Sequence, residues 1–433
     1  MKPSYSFLSG LVLPKKRSVV FENSKELKVM LALSLKGAAV LSGFFLNLVL
    51  ARRLGAGDLG VFNLIFTGVL ILSSITRLGT DQSLVKHVNT ISSTREKEGL
   101  VLSALIAVSI LSLIVSLILY FFAGTVSVAL FSGVESDSYV RVVAPCIFFV
   151  AVYFYCSTVF LANSHATRYI VGVSLIMPLF FLIFILVFDV KSLRGVSFSY
   201  SMSCCLTCVV CFFGVFKFRY LKSMAAGLDV SISMAKKSPY YVALCLVQIL
   251  NLWGPQIIIG LNLSTFDVGV YSTAYRVSLL FTSITVAVNA VFSAKIIEAS
   301  SKCSEKLRAL VVNAMLITLL LSLSFLLLVS VFANVILTAF GEDFYGASSL
   351  LRQLSFSQFL YVMATPLVWY LLGRNKERLM LVVSTGMLLV GSIVTYICTL
   401  KFGSPGMGVG HIAASLIFLI AVIFGALNAS KKN

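Results

Sequence analysis

The chain has 433 residues, of which 59% are apolar and only 12% charged, and it carries a formal net charge of +18. Soluble globular domains carry about 25% charged residues, so this composition excludes that class. A mean hydropathy of +1.01 and repeated apolar runs of about 20 residues define a polytopic membrane protein. The positive charge reads as basic cytoplasmic loops and contact with membrane lipids, not as a nucleic-acid footprint, because no basic–aromatic binding motif accompanies it.

Residues 1–30 read as a basic cytoplasmic tail, since the short apolar patch FLSGLVL is followed by PKKR and not by a small-residue cleavage site. Twelve apolar spans follow, at 31–51, 59–80, 99–122, 140–162, 169–188, 195–216, 239–261, 268–291, 309–334, 348–372, 379–400 and 408–428. They are too long and too uniformly apolar for barrel strands, so they predict transmembrane helices. The basic loop 217–238 falls at the midpoint and divides the chain into six-helix lobes at 31–216 and 239–428, with a short tail at 429–433.

An even number of spans places both termini on one side. That side then holds 24 of the 34 Lys and Arg residues, the opposite side seven, and the spans three. This asymmetry predicts cytoplasmic termini. Arg52 and Arg53 fall on the outer side, against the general rule.

A shift of 209 residues aligns DLGVFNLIFTGVLILSSI at 58–75 with DVGVYSTAYRVSLLFTSI at 267–284, with six identities in 18 positions. The match joins the start of span two to the start of span eight, as a six-plus-six duplication requires. Both copies cross in the same direction, which predicts a parallel repeat with a binding site between the halves. Asp58 and Gly60 are echoed by Asp267 and Gly269 and read as helix-start residues. Arg52 and Arg53 have no echo, since the shift gives Leu261 and Asn262.

Charge within a span costs about 2.5–3.5 kcal/mol at the bilayer centre on insertion scales, so polar residues there should face the bundle interior. Asn63, Thr67, Ser74, Arg77 and Asp81 share one face of span two, and the repeat maps the first three onto Ser272, Arg276 and Ser283. Lys36, Gly43 and Asn47 align on span one, and Gln248, Asn251, Pro255 and Asn262 on span seven. Lys36 could instead snorkel to the interface, and Arg77 with Asp81 could form an i,i+4 ion pair at a helix end. All 16 carboxylates lie in loops or at span ends. A cavity lined by Lys36, Arg77 and Arg276, with Arg52, Arg53 and Arg141 at its outer rim, favours an anion, and Arg suits phosphate through bidentate hydrogen bonds. Cys204, Cys208 and Cys211 share a helix face but lack His or carboxylate neighbours, and read as packing residues and not as a metal site. No metal, cofactor or catalytic set is expected; His87, His165 and His411 are scattered.

Residues 35–88 resemble the start of Wzx-type lipid-linked oligosaccharide flippases, in the polysaccharide transport branch of the MOP superfamily. Ala51, Arg52, Leu54, Gly55, Asp58, Gly60, Phe62, Leu78, Gly79 and Asp81 occupy the places of that family's pattern. The resemblance implies an all-α integral membrane fold of two six-helix lobes around a central cavity, working by alternating access. It implies export of an undecaprenyl-pyrophosphate-linked oligosaccharide across the inner membrane, alongside a polysaccharide polymerase and a chain-length regulator. Substrate contacts are expected at Lys36, Asn47, Arg52, Arg53, Arg77, Asp81, Gln248, Asn251 and Arg276, with Asp81 the nearest carboxylate for ion coupling. Two other classes remain open: an exporter of the related MATE branch, which needs cavity carboxylates for cationic substrates, and a membrane glycan polymerase or ligase, which needs a large external loop.

Overall fold

A computed structural model describes residues 17–88, 93–131, 137–215, 228–301 and 307–431. Among these residues all regular structure is helical. In hydrocarbon every backbone polar group must be satisfied within its own segment, and a helix does this for a run of apolar residues.

The first helix, α1 (Arg17–Thr76), absorbs both of the first two spans. Its apolar stretch, Ser34–Thr76, is 43 residues long. At 1.5 Å per residue that is about 65 Å, twice the roughly 30 Å hydrocarbon thickness. The stretch is broken at Gly55, whose φ of 69° and ψ of 178° are non-helical. Only glycine adopts that combination readily. The two halves therefore make two crossings. The sequence reading ended the tail at residue 30, whereas helix already begins at Arg17; residues 1–16 lie outside the described part.

The first lobe continues through α2 (Thr80–Val88), α3 (Thr94–Phe121), α4 (Ala123–Phe131), α5 (Asp137–Val143), α6 (Cys146–Ala162), α7 (Ala166–Ile170), α8 (Ile176–Val187) and α9 (Leu193–Val215). A π-helical turn, Val171–Leu175, joins α7 to α8. The second lobe comprises α10 (Leu228–Asn262), α11 (Thr265–Ser278), α12 (Thr282–Ser301), α13 (Leu307–Thr338), α14 (Ser348–Gly373), α15 (Glu377–Phe402) and α16 (Val409–Lys431). Helix α10 starts at Leu228, inside the stretch expected as the inter-lobe loop; residues 216–227 lie outside the described part. Among the described residues, eleven apolar helical stretches are long enough to span a bilayer. The break at Gly55 makes the first of them two, which gives twelve crossings.

The lobes meet chiefly where α1 packs against α11. A Cβ added to Gly60 would lie 1.7 Å from the carbonyl oxygen of Thr265, and one added to Gly269 would lie 1.9 Å from that of Ala56. Each residue in these contacts is shifted by 209 from its counterpart. The second crossing of α1 and its repeat α11 therefore cross at the pseudo-two-fold axis, with glycine in each helix allowing backbone contact.

The two helix starts are capped differently. Ser264 and Asp267 form a reciprocal capping box at the start of α11, and Ser404 donates to Asp267 at 2.5 Å. After the Gly55 break, the Ala56 N–H instead donates to Asp343 Oδ2 of the other lobe at 2.9 Å. Asp58, expected to open its helix as Asp267 does, is exposed. Its role passes to a carboxylate 287 residues away.

Candidate functional site

A cavity of about 310 Å³ lies between the lobes. The first crossing of α1 contributes Gly43 and Leu46, the second Phe62 and Phe66, and α8 contributes Pro178. The second lobe adds Trp253 and Arg276. Along both repeat helices these residues follow the crossing glycines. The cavity thus lies between the crossing and the face where α1 begins, here the N-terminal face; the opposite one is the Arg52 face.

The walls are mostly apolar, with Arg276 the one charged residue and Thr282 the one hydroxyl among those that line it. Phe66 meets Trp253 edge-on across the lobes, with ring centroids 5.5 Å apart. The Arg276 guanidinium carbon lies 5.6 Å from the Phe66 ring centroid. Its Nη2 donates to Asn63 Oδ1 at 2.7 Å, and Asn63 Nδ2 donates to Ser272 Oγ at 2.7 Å. Asn63 and Ser272 are repeat-related positions, so the polar relay straddles the axis. One turn further, Thr67 donates to Gln256 at 3.1 Å. Among the described residues no carboxylate pairs with Arg276, and its Nε has no partner. A half-buried cation, oriented by a neutral amide and not neutralised, can accept an anion without displacing a protein carboxylate.

The other expected site residues are dispersed. Lys36 donates to Ser174 on the π-helical turn at 3.4 Å, near the N-terminal end of the first crossing. Asn47 is 1% exposed; it is absent from the cavity lining, and among the described residues neither of its amide atoms has a partner. Arg77 is buried in the first lobe, 4.6 Å from the Phe154 ring centroid, with Nη1 3.5 Å from Ser73 Oγ. The expected Arg77–Asp81 face does not form as one helix. Helix α1 stops at Thr76, and Leu78 and Gly79 take φ of 49° and 67° before α2 begins. The Asp81 side chain lies outside the described part. Gln248 is exposed. Asn251 donates within its own lobe, to Val247 O at 2.8 Å and Ser384 O at 3.1 Å.

Arg52 and Arg53 are held by backbone carbonyls, away from the cavity lining. Arg52 Nε donates to Ala339 O across the lobes at 2.6 Å. Arg53 Nη1 donates to Ile185 O and Val190 O, each at 2.9 Å, and pairs with Asp189 at 3.1 Å. The first is an inter-lobe latch and the second a clamp inside the first lobe. Lys191 lies 2.8 Å from Asp189. Its hydrogen bond, with the Arg53 charge, holds the Asp189 carboxyl below its ordinary value.

Sequence reasoning missed Gln256, Trp253 and Asp343. Gln256 lies eight residues past Gln248 on α10 and could have been found by extending that polar face; Asp343, a loop carboxylate, carries no local signal for a partner in the other lobe. The five cysteines Cys146, Cys156, Cys204, Cys208 and Cys211 are buried free thiols, and no metal-holding group of His, Cys, Asp and Glu occurs among the described residues.

The architecture is thus two helical lobes closed by a glycine crossing over a cavity with one cation. Residues 28–294 match the family described as "Polysaccharide biosynthesis protein", and the chain belongs to that family. It resembles a multidrug-resistance MATE transporter in an inward-facing conformation, with a TM-score of 0.74 and 15% identity over 93% of this chain and 98% of that one. It also resembles the lipid II flippase MurJ in an inward closed conformation, with a TM-score of 0.72 and 14% identity over 94% and 87%. A MOP transporter from Pyrococcus furiosus, described as having a binding pocket of reversed polarity, aligns with a TM-score of 0.61 and 15% identity over 94% and 95%. No curated protein matches the sequence.

Proposed function

We propose that this protein is a Wzx-type flippase that moves an undecaprenyl-pyrophosphate-linked oligosaccharide from the inner to the outer leaflet of the cytoplasmic membrane for surface polysaccharide assembly. The observation that carries the reading is Arg276, an arginine lining the inter-lobe cavity that is oriented by Asn63 and, among the described residues, pairs with no carboxylate. A pyrophosphate offers oxygens that a guanidinium can bind bidentately. The apolar walls of Gly43, Phe62 and Pro178 suit the isoprenyl end of such a lipid.

In this reading the N-terminal face is cytoplasmic. The cavity lies on that side of the crossing, while the Gly60–Gly269 contact, the Arg52–Ala339 bond and the Ala56–Asp343 bond join the lobes toward the other. Export requires those contacts to part once the head group has engaged Arg276, which is alternating access about the pseudo-two-fold axis. Lys36 lies at the cytoplasmic entrance. Arg52 acts as a gate and not as a substrate contact. The fold contributes no covalent step; a polymerase and a chain-length regulator would act on the exported unit.

The test is complementation of a deletion strain, read as a surface-glycan profile. The wild-type gene restores polymerised glycan, and Arg276→Ala does not, at equal membrane protein level. A deletion strain with a normal glycan profile and raised drug sensitivity would replace this reading with small-molecule export.

A further inference from the structure

A second cavity, of about 770 Å³, lies on the second lobe at the N-terminal face and shares no lining residue with the inter-lobe cavity. It lies between the start of α13 and the ends of α14 and α16, three helix ends on the same side of the bilayer. Its walls are apolar, among them Met315, Leu367 and Leu427, and two arginines, Arg308 and Arg374, line it. The Arg374 guanidinium carbon lies 5.6 Å from the Tyr370 ring centroid.

The geometry fixes a depth. The lining runs from Leu307 to Met315 on α13, from Leu367 to Arg374 on α14 and from Ile423 to Ser430 on α16. At 1.5 Å per residue each path descends about 10–12 Å, most of one leaflet of a core about 30 Å thick. Both arginines lie at the head-group end of those paths, and the deep end is wholly apolar. Leu427 is 56% exposed, so the groove is open sideways to lipid. The groove belongs to one lobe. The shift of 209 places Gly99, His165 and Leu161 at the positions of Arg308, Arg374 and Tyr370, so the duplicated half lacks both charges.

We infer that this groove is a binding site for an anionic phospholipid of the cytoplasmic leaflet, with its phosphate on Arg308 and Arg374 and one acyl chain along the α13–α16 cleft. Charge complementarity selects this occupant. Annular lipid meets any apolar helix face without regard to head group, whereas two arginines at the mouth of a leaflet-deep groove discriminate by net charge. An arginine near a membrane surface contributes on the order of 1 kcal/mol toward an anionic lipid, so two give a preference of about thirty-fold over a zwitterionic one. A neighbouring cavity of about 560 Å³ shares Arg374 and adds Lys376, which extends the positive rim on the far side of α16.

The test is native mass spectrometry of the full-length protein from detergent, titrated with phosphatidylglycerol against phosphatidylcholine of equal chain length. The wild type should retain phosphatidylglycerol with a preference between ten- and thirty-fold, and R308Q/R374Q should retain the two equally. Leu427→Trp, a lipid-facing change that leaves both charges in place, should lower retention of either lipid and keep the protein measurable if the double variant fails to fold. Equal retention by the wild type, unchanged selectivity in R308Q/R374Q, or unchanged retention in Leu427→Trp overturns the inference. So does displacement of phosphatidylglycerol by equimolar undecaprenyl phosphate, which would give the groove to the carrier lipid. None of these readouts involves Arg276, so they succeed or fail independently of the proposed transport activity.

Discussion

The crossing of α1 and α11 offers the sharpest structural test, through Gly60→Ala. A Cβ at residue 60 would sit 1.7 Å from the Thr265 carbonyl oxygen, where C–H···O contacts settle at about 3.3–3.6 Å. The helices must therefore part by about 1.6–1.9 Å. Helix propensity works the other way, since alanine in a helix interior is favoured over glycine by up to about 1 kcal/mol. Overpacking a close contact costs about 1–3 kcal/mol, and here the contacted group is rigid backbone rather than a side chain that can rotate away, so the clash outweighs propensity. A net change of about 1.4 kcal/mol would shift the ratio of open to closed crossing tenfold. Spin labels at Ser192 and at Glu342, the first residue of a short 3-10 helix, both exposed on the Arg52 face of the two lobes, report that separation by pulsed dipolar spectroscopy in a cysteine-depleted background. The Gly60→Ala distribution should move to longer distances, and Gly269→Ala should reproduce it because the contact is symmetric. Unchanged distributions in both variants, with normal elution and thermal stability, would refute the claim that this crossing seals the Arg52 face.

Arg52 and Arg53 should separate cleanly although they are adjacent. Arg52→Ala removes an inter-lobe bond and should lengthen the same spin-label distances with little change in melting temperature. Arg53→Ala strands two carbonyl acceptors within the first lobe and should lower stability by about 1–3 kcal/mol, seen as a lower melting temperature with unaltered distances. The carboxyl of Asp189 is held below its ordinary value by Lys191 and Arg53, so its contribution is present above the ordinary carboxylate range and lost as pH falls through the lowered value. Asp189→Asn should therefore flatten the acid limb of a melting-temperature profile between neutral pH and pH 3 and leave stability below that limb unchanged. Tyr271→Phe leaves the buried His411 imidazole, which bonds the Tyr271 hydroxyl, without that partner, and should cost about 1–3 kcal/mol in a denaturation midpoint.

The twelve crossings were legible because each is a run of apolar residues that hydrocarbon forces into a helix. The repeat was legible at the start of spans two and eight, and it foretold that Asn63 and Ser272 occupy equivalent places; the structure adds that they touch. Arg276 could be singled out as a deep cation with no acidic neighbour in its own span. The partners of Arg52 and Arg53 could not be read, because a backbone carbonyl has no residue identity: Ala339, Ile185 and Val190 carry no sign of the arginine they receive. The periodic face from Asn63 to Asp81 failed at its last step, since Leu78 and Gly79 leave helical geometry and end the 3.6-residue register. Gly60 and Gly269 were visible as matches in the repeat, but only the crossing shows why a side chain is excluded there.

The central claim is that Arg276 receives the pyrophosphate of a lipid-linked oligosaccharide in a cavity that alternates between the two faces. Proteoliposomes holding purified protein and undecaprenyl-pyrophosphate-linked oligosaccharide test it most directly, with glycan exposure on the opposite leaflet followed over time. Wild-type protein should expose the glycan, and Arg276→Ala, reconstituted at equal density, should slow exposure at least tenfold. Translocation by Arg276→Ala at the wild-type rate would contradict the account.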